Sequence, residues 1–575
     1  MQKFQTVRWP TVLALALLTL CAASPDSAAS NAPASPSVRR VARFVATGAF
    51  GAFLEGRFGA AEGDLDGAAE AFLRALGADP RNPDLVRPAF AACLLAGRAE
   101  AVRLARQLPD AQEAQLLLAG QEMKIGNWGG AEQRIRSLPR QGLAQVLQPM
   151  LLAWTQFGAG RVDAALATLR PLVEGQRLRG VYALHVAMIN DLAGRNAEAA
   201  RLYLLVQSDA AGANLRLAQI IASWQARQGH LAEARQTLRA LGEMGNDLPV
   251  AIPAMLSAAS QRPVARASDG IAEVYLAFAG ELSQQDSGQY AQVLLRLALD
   301  LRPDLTAARL LMADVLDAGK HSAAALQLLA SVTAEDTLSG IVRLRRAGLA
   351  AKLEHTEEAL RDLDQLARDY PDTSLPYALQ ADILRQKSRY TEAVAAYDRA
   401  IARIVAPKRN TWSLFYARGV AHDRAHDWPH AESDLQRAME LAPDQPYVLN
   451  YLGYSWADQG NNLPRARELI ERALELKPDD GAIIDSLGWV VFRQGDVQGA
   501  IKLLERAVEL QSTDVTINSH LGDVYWSAGR KREAQFQWRR ALTLNPEPED
   551  KVKLEAKLQD NVFTETPAAA ERSVQ

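Results

Sequence analysis

The sequence predicts an all-α solenoid of helix-turn-helix repeats, and two periodic features and the composition carry that prediction. Near the C-terminus, Gly453, Gly488 and Gly522 each follow a leucine, at spacings of 35 and 34 residues. The alanines that follow them in the same phase are Ala466, Ala500 and Ala534. Hydrophobic residues form 48% of the 575-residue chain but aromatic residues only 6%, and most of the apolar residues are Ala and Leu, which favour helices. A fixed period of this length indicates one supersecondary unit stacked on its neighbours.

The residue types at the periodic positions explain how such a repeat packs. A glycine in the first helix of each unit, helix A, lets the second helix, helix B, approach closely, and the alanines let helix B pack on the next unit. A bulky residue one turn after the helix-B alanine, such as Leu504 after Ala500, fills the remaining gap. A proline such as Pro478 begins the turn into the next unit. Gly419 extends the same phase upstream.

The phase of the helix-B alanine predicts about fourteen repeats. These alanines are Ala68, Ala101, Ala131, Ala165, Ala199, Ala234, Ala291, Ala325, Ala359, Ala393, Ala431, Ala466, Ala500 and Ala534. The step between the sixth and the seventh alanine is 57 residues, which is too long for one repeat, and residues 246–268 within it carry three prolines. We therefore predict two solenoid halves, a degenerate array over residues 50–245 and a regular array over residues 269–546, joined by a linker.

The N-terminus resembles a secretory leader. Residues 1–29 combine a positive start with an apolar stretch that is too short to span a bilayer stably, and cleavage is expected after Ala23 or Ala29. Lipidation of Cys21 is a second interpretation, although Leu20 departs from the small residue that usually precedes a lipidated cysteine. An uncleaved N-terminal anchor is the third.

Two further segments are predicted to lie outside the repeats. Residues 30–49 are rich in Pro, Ser and Ala, which is typical of a flexible linker. Residues 547–575 are expected to hold the end of a capping helix and then a disordered tail.

Charge and cysteine content argue against several classes of protein. The formal net charge is -3, so neither sign dominates as it does in nucleic-acid-binding or polybasic membrane-binding proteins. The chain has two cysteines, which excludes a disulfide scaffold and a cysteine-cluster metal site.

The sequence carries little that points to catalysis or metal binding. Residues 453–457 read Gly-Tyr-Ser-Trp-Ala and resemble a nucleophile elbow, but an elbow needs a strand-to-helix turn and this segment lies within a predicted helix. His422, His426 and His430 are four residues apart, but a turn is expected near His426, so we interpret them as surface or turn histidines, with adventitious metal binding as the alternative. Phosphate-binding-loop, dinucleotide-binding and HExxH motifs are absent from the sequence. We therefore predict a non-enzyme with no catalytic residue, no metal site and no cofactor.

The periodic Gly, Ala and Pro positions resemble the tetratricopeptide repeat (TPR). The resemblance implies a superhelical solenoid whose concave groove is lined by defined positions of helix A. The groove residues that it implies in the last four repeats are Tyr416, Arg424, Tyr447, Asn450, Tyr454, Asp485, Trp489, Phe492, Arg493 and Trp526. Rigid aromatic residues of this kind form the centres of many protein interfaces. The alternative is that aromatic residues such as Phe492 and Trp526 only pack against the neighbouring repeat.

Two segments are similar to a narrower group of long exported bacterial TPR proteins. They are Asn450-Tyr451-Leu452-Gly453-Tyr454-Ser455 and Asp485-Ser486-Leu487-Gly488-Trp489. That group includes the outer-membrane lipoprotein partner of a periplasmic carboxyl-terminal processing protease. The resemblance implies a non-catalytic adaptor that binds the protease, helps to assemble or activate it, and delivers cell-wall hydrolases as substrates.

The sequence thus predicts a protein-binding scaffold in the periplasm, either free or anchored at the outer membrane, with protein partners and no nucleic acid. A structural component of an envelope assembly or of a polysaccharide or outer-membrane export machine is the alternative function. An enzyme domain concealed in residues 82–268 is a further alternative, which strand content would favour.

Overall fold

The computed structural model describes residues 48–80, 82–139, 142–175, 179–209, 215–242, 248–283, 288–407 and 409–560. Every regular element in these ranges is a helix. Among them, no helix has the length and apolar character that crossing a membrane requires. The predicted leader with Cys21, most of the predicted linker at 30–49, and the tail from residue 561 lie outside the described residues.

The first half of the fold consists of six helical hairpins. They are α1 (Ala49–Ala61) with α2 (Leu65–Ala78), α3 (Pro83–Ala96) with α4 (Glu100–Ala105), α5 (Gln112–Lys124) with α6 (Trp128–Arg136), α7 (Gly142–Gly158) with α8 (Val162–Glu174), α9 (Arg179–Leu192) with α10 (Asn196–Asp209), and α11 (Leu215–Arg227) with α12 (Leu231–Gly242). A 3-10 turn (Leu248–Ala251) and the short helix α13 (Ile252–Ser257) follow them. Both lie in the segment where the sequence predicts a linker.

The second half consists of eight further hairpins. They are α14 (Ala267–Ser283) with α15 (Gly288–Leu301), α16 (Thr306–Ala318) with α17 (Ser322–Leu329), α18 (Ser339–Lys352) with α19 (Thr356–Asp369), α20 (Leu375–Gln386) with α21 (Tyr390–Ile401), α22 (Trp412–Arg424) with α23 (Trp428–Leu441), α24 (Pro446–Asp458) with α25 (Leu463–Leu476), α26 (Gly481–Arg493) with α27 (Val497–Leu510), and α28 (Val515–Ser527) with α29 (Lys531–Thr543). A 3-10 turn (Arg409–Thr411) precedes α22, and a single helix, α30 (Pro548–Asp560), packs on α29.

The described hairpins agree in number and phase with the predicted repeats. Each of the fourteen helix-B alanines lies in the second helix of its hairpin and is at most 3% exposed. The glycines of helix A lie at the point of closest approach. A Cβ on Gly488 would come within 2.8 Å of Leu504 Cγ, and a Cβ on Gly453 within 2.7 Å of Ile470 Cγ1. These contacts are too short for any side chain larger than hydrogen.

Several helix-B starts share one turn. At α2, α6 and α27, a glycine with positive φ precedes an Asp or Asn, whose side chain accepts a hydrogen bond from the backbone N–H three residues later. At α27, Asp496 accepts from the N–H of Gly499 at 2.8 Å. This N-cap hydrogen bond satisfies one of the backbone donors that a helix start leaves open.

The hairpin after α13 packs back onto the first hairpins. Helix α14 lies against α7, and α15 lies against α3 and α5. Gly270 of α14 is so close to Trp154 of α7 that a Cβ would overlap the indole ring. Gln121 of α5 donates a hydrogen bond to Asp300 of α15 at 2.9 Å, and Lys124 pairs with the same carboxylate at 2.7 Å.

The contacts divide the chain into two compact units, with the division between Leu375 and Pro376. The contacts of α14 and α15 just described lie within the first unit. The hairpins from α20 onward and α30 form the second unit, which contains all ten predicted groove residues.

Candidate functional site

The ten predicted groove residues lie on the first helices of four successive hairpins, α22, α24, α26 and α28, and they differ widely in exposure. Asp485, Trp489 and Phe492 of α26 are 4%, 2% and 0% exposed. The partly exposed residues are Tyr416, Tyr447, Asn450, Tyr454, Arg493 and Trp526. Arg424 is exposed. The groove prediction therefore divides into a buried part on α26 and an accessible part centred on α24.

The three α26 residues are packing residues in this structure. The Trp489 ring stacks on the His520 imidazole of α28, with 4.2 Å between centroids and 14° between planes, and it lies 5.4 Å from the Phe492 ring. Both carboxylate oxygens of Asp485 lie 3.0–3.1 Å from His520 Nδ1. The prediction that these three side chains line an open groove is corrected on this point, because all three are buried: Asp485 and Trp489 lie against His520 of α28, and Phe492 packs beside Trp489. The burial of Phe492 agrees with the alternative interpretation, in which this residue serves packing rather than partner binding.

His520 joins the buried aromatic residues to a charge pair. Burial lowers the pKa of His520, but the carboxylate of Asp485, helped by Asp523, outweighs burial, so the pKa lies above its usual value. A protonated imidazole stacked on an indole also gains from the negative face of the ring. The group therefore favours a charged His520 between Asp485 and Trp489.

The last helix, α30, covers the next part of the same face. Lys557 of α30 donates hydrogen bonds to Asp523 at 2.7 Å and to Ser519 at 3.3 Å, both on α28. Asp523 also accepts from Trp538 Nε1 at 2.9 Å. Trp526 is partly exposed beside Trp538, with 5.3 Å between ring centroids. Helix α30 therefore covers α28 at the C-terminal end of the predicted groove.

The accessible part is a short row of side chains along α24. Tyr447, Asn450 and Tyr454 follow one another at spacings of three and four residues, which places them on one side of the helix. Asn450 Oδ1 is buried and has no hydrogen-bond partner among the described residues. The Tyr447 hydroxyl accepts from Lys477 Nζ, which also lies 4.4 Å from the Tyr447 ring centroid. We call Tyr447, Asn450 and Tyr454 the α24 row.

Further predicted residues border the α24 row. The Tyr416 ring lies 5.8 Å from the Tyr451 ring at a steep angle, and burial raises the pKa of Tyr416 to about 12. Arg493 donates to the carbonyl of Asp458, the last residue of α24, at 3.0 Å. Tyr416 therefore belongs largely to the packing between repeats, whereas Arg493 links α26 to the end of α24.

His520 and Lys557 were missed from the sequence, although a signal was present. His520 lies 35 residues after Asp485, and Lys557 lies 34 residues after Asp523. In a stacked array, residues one repeat apart are neighbours in space. A search for opposite charges one repeat apart would have found both pairs.

The three spaced histidines do not form one group. His426 occupies the turn between α22 and α23 with φ +62°, and it is exposed. His422 and His430 instead approach each other on either side of Asp427, and their rings stack with 5.2 Å between centroids. The segment that resembles a nucleophile elbow lies inside α24, where Ser455 is 6% exposed.

Family comparison identifies repeats in the second half of the chain. Residues 344–407, 416–481 and 461–515 match one tetratricopeptide repeat family, and residues 515–548 match another. Together with the helical hairpins, these matches confirm the predicted fold class, an all-α TPR solenoid. TPR repeats support a protein-binding scaffold as the broad function.

A curated relative is the TPR repeat-containing protein PA4667 of Pseudomonas aeruginosa PAO1. It is 30% identical over 159 residues, a match that covers 28% of this chain and 26% of the relative. Among solved structures, the chain is similar to the APC/C hetero-tetramer Cut9-Hcn1 (15% identity, TM-score 0.36, 89% of this chain and 96% of that chain). It is also similar to YrrB, a TPR protein with an unusual peptide-binding site (16% identity, TM-score 0.26, 34% of this chain and 97% of that chain).

Proposed function

We propose that this protein is a non-catalytic scaffold that binds an extended segment of a partner protein on the α24 row. The observation that carries the proposal is the unpartnered Asn450 Oδ1 between two partly exposed tyrosines. A buried acceptor without a partner costs free energy, so a ligand that displaces a neighbouring side chain and donates a hydrogen bond to Asn450 Oδ1 is favoured.

The chemistry of the α24 row fits a peptide backbone. A side-chain amide both donates and accepts, as a peptide group does, so Asn450 matches the backbone of an extended segment without reading its sequence. Tyr447 and Tyr454 add rigid, amphipathic contact area on either side. Arg424 adds a positive charge at the exposed end of α22, which favours a segment with an acidic residue or a terminal carboxylate.

The finer proposal places this scaffold in a bacterial envelope as the adaptor of a periplasmic carboxyl-terminal processing protease that degrades cell-wall hydrolases. Two features support it: the leader-like residues 1–29, and the similarity of the segments around Asn450 and Trp489 to the exported group. An adaptor of this kind holds the protease and its substrate on one array and raises their effective concentration.

Site-specific photo-crosslinking tests the binding face. A photoreactive phenylalanine analogue at Tyr454 in the full chain should attach to partner peptides that mass spectrometry can identify. The same group at Lys502, an exposed residue of α27, is the matched control. Asn450→Ala should reduce crosslinking at Tyr454 severalfold while leaving the helical signal unchanged. Equal crosslinking at Lys502 would refute the α24 row as the binding face.

The identity of the crosslinked partner tests the finer proposal separately. A carboxyl-terminal processing protease or a cell-wall hydrolase supports the adaptor role. A secretion-channel or envelope-assembly protein would instead support the structural alternative, with the binding face retained.

A further inference from the structure

We propose that His422, Asp427 and His430 form a binding site for a divalent transition metal of the zinc class, at the turn between α22 and α23. Nδ1 of His422 lies 3.1 Å from Asp427 Oδ2, and Nδ1 of His430 lies 2.8 Å from both Asp427 oxygens. One ligand atom from each residue can be chosen so that all three lie within 4.8 Å of one another. This proposal departs from the sequence-based prediction of no metal site, and it is independent of the proposed scaffold function.

The orientation of Asp427 is the first argument. Asp427 precedes α23 as Asp64 precedes α2 and Asp496 precedes α27, in each case after a residue with positive φ. Asp64 and Asp496 cap their helices, but the Asp427 side chain makes no cap hydrogen bond. An N-cap hydrogen bond stabilises a helix by about 1 kcal/mol. The Asp427 carboxylate lacks this stabilisation and faces two imidazoles instead.

The residue three positions after the cap explains the difference. It is Gly67 in α2 and Gly499 in α27, and a Cβ at either position would overlap the capping carboxylate. In α23 the same position is His430, whose Cβ fills that space. The substitution therefore removes the cap and adds a ligand in one step, and the released carboxylate turns toward His422 and His430.

The donor set suits a borderline metal. Two imidazole nitrogens and one carboxylate oxygen are a common ligand set for Zn²⁺, and three protein ligands leave a fourth position for water or a partner group. Without metal, each imidazole can donate its Nδ1–H to Asp427. Metal binding through Nδ1 moves each proton to Nε2, so the exchange needs no net proton release.

The three ligands differ in exposure, so the site is buried on the His422 side and open to solvent on the His430 side. The His422 side chain is 13% exposed in the last turn of α22, whereas those of Asp427 and His430 are 40% and 73% exposed. The last turn of a helix favours a cation, while the first turn of α23 opposes one, so the backbone contributes little net preference. Affinity must come from the three side chains, with His422 as the fixed ligand.

Calorimetric titration of the full, tag-free chain with Zn²⁺ tests the proposal, and Co²⁺ absorption reports the geometry. Wild type should bind one equivalent, with Co²⁺ bands of tetrahedral intensity. His430→Ala and Asp427→Asn should each weaken binding by at least about tenfold, the loss typical of disturbed metal sites. His426→Asn is the matched control, because His426 lies between the ligands in sequence, is exposed in the turn, and is not part of the His422–Asp427–His430 group; asparagine also tolerates its positive φ.

The outcomes separate the alternatives. Loss of binding in His430→Ala and Asp427→Asn, with His426→Asn unchanged and all chains equally helical, supports the site. Binding that survives both ligand substitutions, or that falls equally in His426→Asn, overturns it. Absence of stoichiometric binding in wild type also overturns it and leaves a hydrogen-bonded His–Asp–His cluster that links α22 to α23.

Discussion

The first helix of a hairpin, helix A, has different neighbours in the first six hairpins and in the last hairpins. In the first array, α3, α5 and α7 are covered by α14 and α15 from later in the same chain. In the second unit, α24 keeps a partly exposed row of side chains. The same repeat therefore produces a core face in one region and an accessible face in the other, so the repeat pattern alone does not identify a binding surface.

The polar residues at the two faces follow this difference. Arg216 of α11 makes hydrogen bonds of 2.5–3.0 Å to Glu273 of α14, whose side chain is buried, while the Arg216 side chain is 16% exposed. Such a pair needs both partners, because removing one leaves a buried charge. At the α24 row, by contrast, Asn450 Oδ1 has no hydrogen-bond partner within the described part of the chain.

Replacing Trp154 should produce the largest change, because it breaks the covered face. Trp154 is 0% exposed, packs against Gly270, and donates a hydrogen bond to His185 Nδ1 at 2.9 Å. Trp154→Ala should lower the free energy of unfolding by about 3–5 kcal/mol, measured by denaturant titration. Tyr454→Ala on the accessible face should cost much less. Equal losses of unfolding free energy in the two variants would contradict the distinction between a covered face and an accessible face.

The pH dependence of two buried histidines should sharpen the comparison. Burial lowers the pKa of His185 to about 3 from 6.5, so its contribution to stability is lost as pH falls from 6.5 towards 3, on the order of a few kcal/mol. The pKa of His520 is raised, so its contribution is full below about pH 6.5 and is lost as pH rises through the folded-state value.

Thermal unfolding from pH 4 to pH 8 checks these opposite signs. The difference in melting temperature between wild type and His185→Gln should move against wild type as pH falls. The difference between wild type and His520→Gln should move against wild type as pH rises. Parallel pH dependence of the two differences would contradict the protonation states assigned to the two sites.

The smallest expected effects concern glycines in the repeats. Gly488→Leu should destabilise the chain by about 1–3 kcal/mol, because any Cβ there meets Leu504. Gly348→Ala in α18 is the control, since nothing lies within 4 Å of its Cβ position, and it should stabilise by about 0.5–1 kcal/mol. Unchanged melting of Gly488→Leu would refute close packing at this position.

The exposure of the predicted groove residues could not be predicted from the sequence. Tyr454 and Trp489 occupy the same repeat position, and the pattern treats them alike. In the structure, Tyr454 is partly exposed, whereas Trp489 is 2% exposed beneath His520. We therefore expect Trp489→Ala to unfold part of the second unit rather than to remove a contact with a partner. Both rings lie near His520, but Trp489 stacks on it at 4.2 Å between centroids whereas Tyr454 lies 5.9 Å from it, and a repeat consensus does not specify this difference.

The sequence by itself determined the helices, their pairing and the phase of all fourteen helix-B alanines. These are local properties, since a small residue is needed wherever two adjacent helices touch, and that need recurs once in each repeat. Only the tertiary structure decided which inner faces are covered. The hydrogen bond from Gln121 to Asp300 joins residues 179 positions apart, and no periodic rule fixes such a contact. It depends on the path of the chain through α13, and that path turns a later hairpin onto the first array.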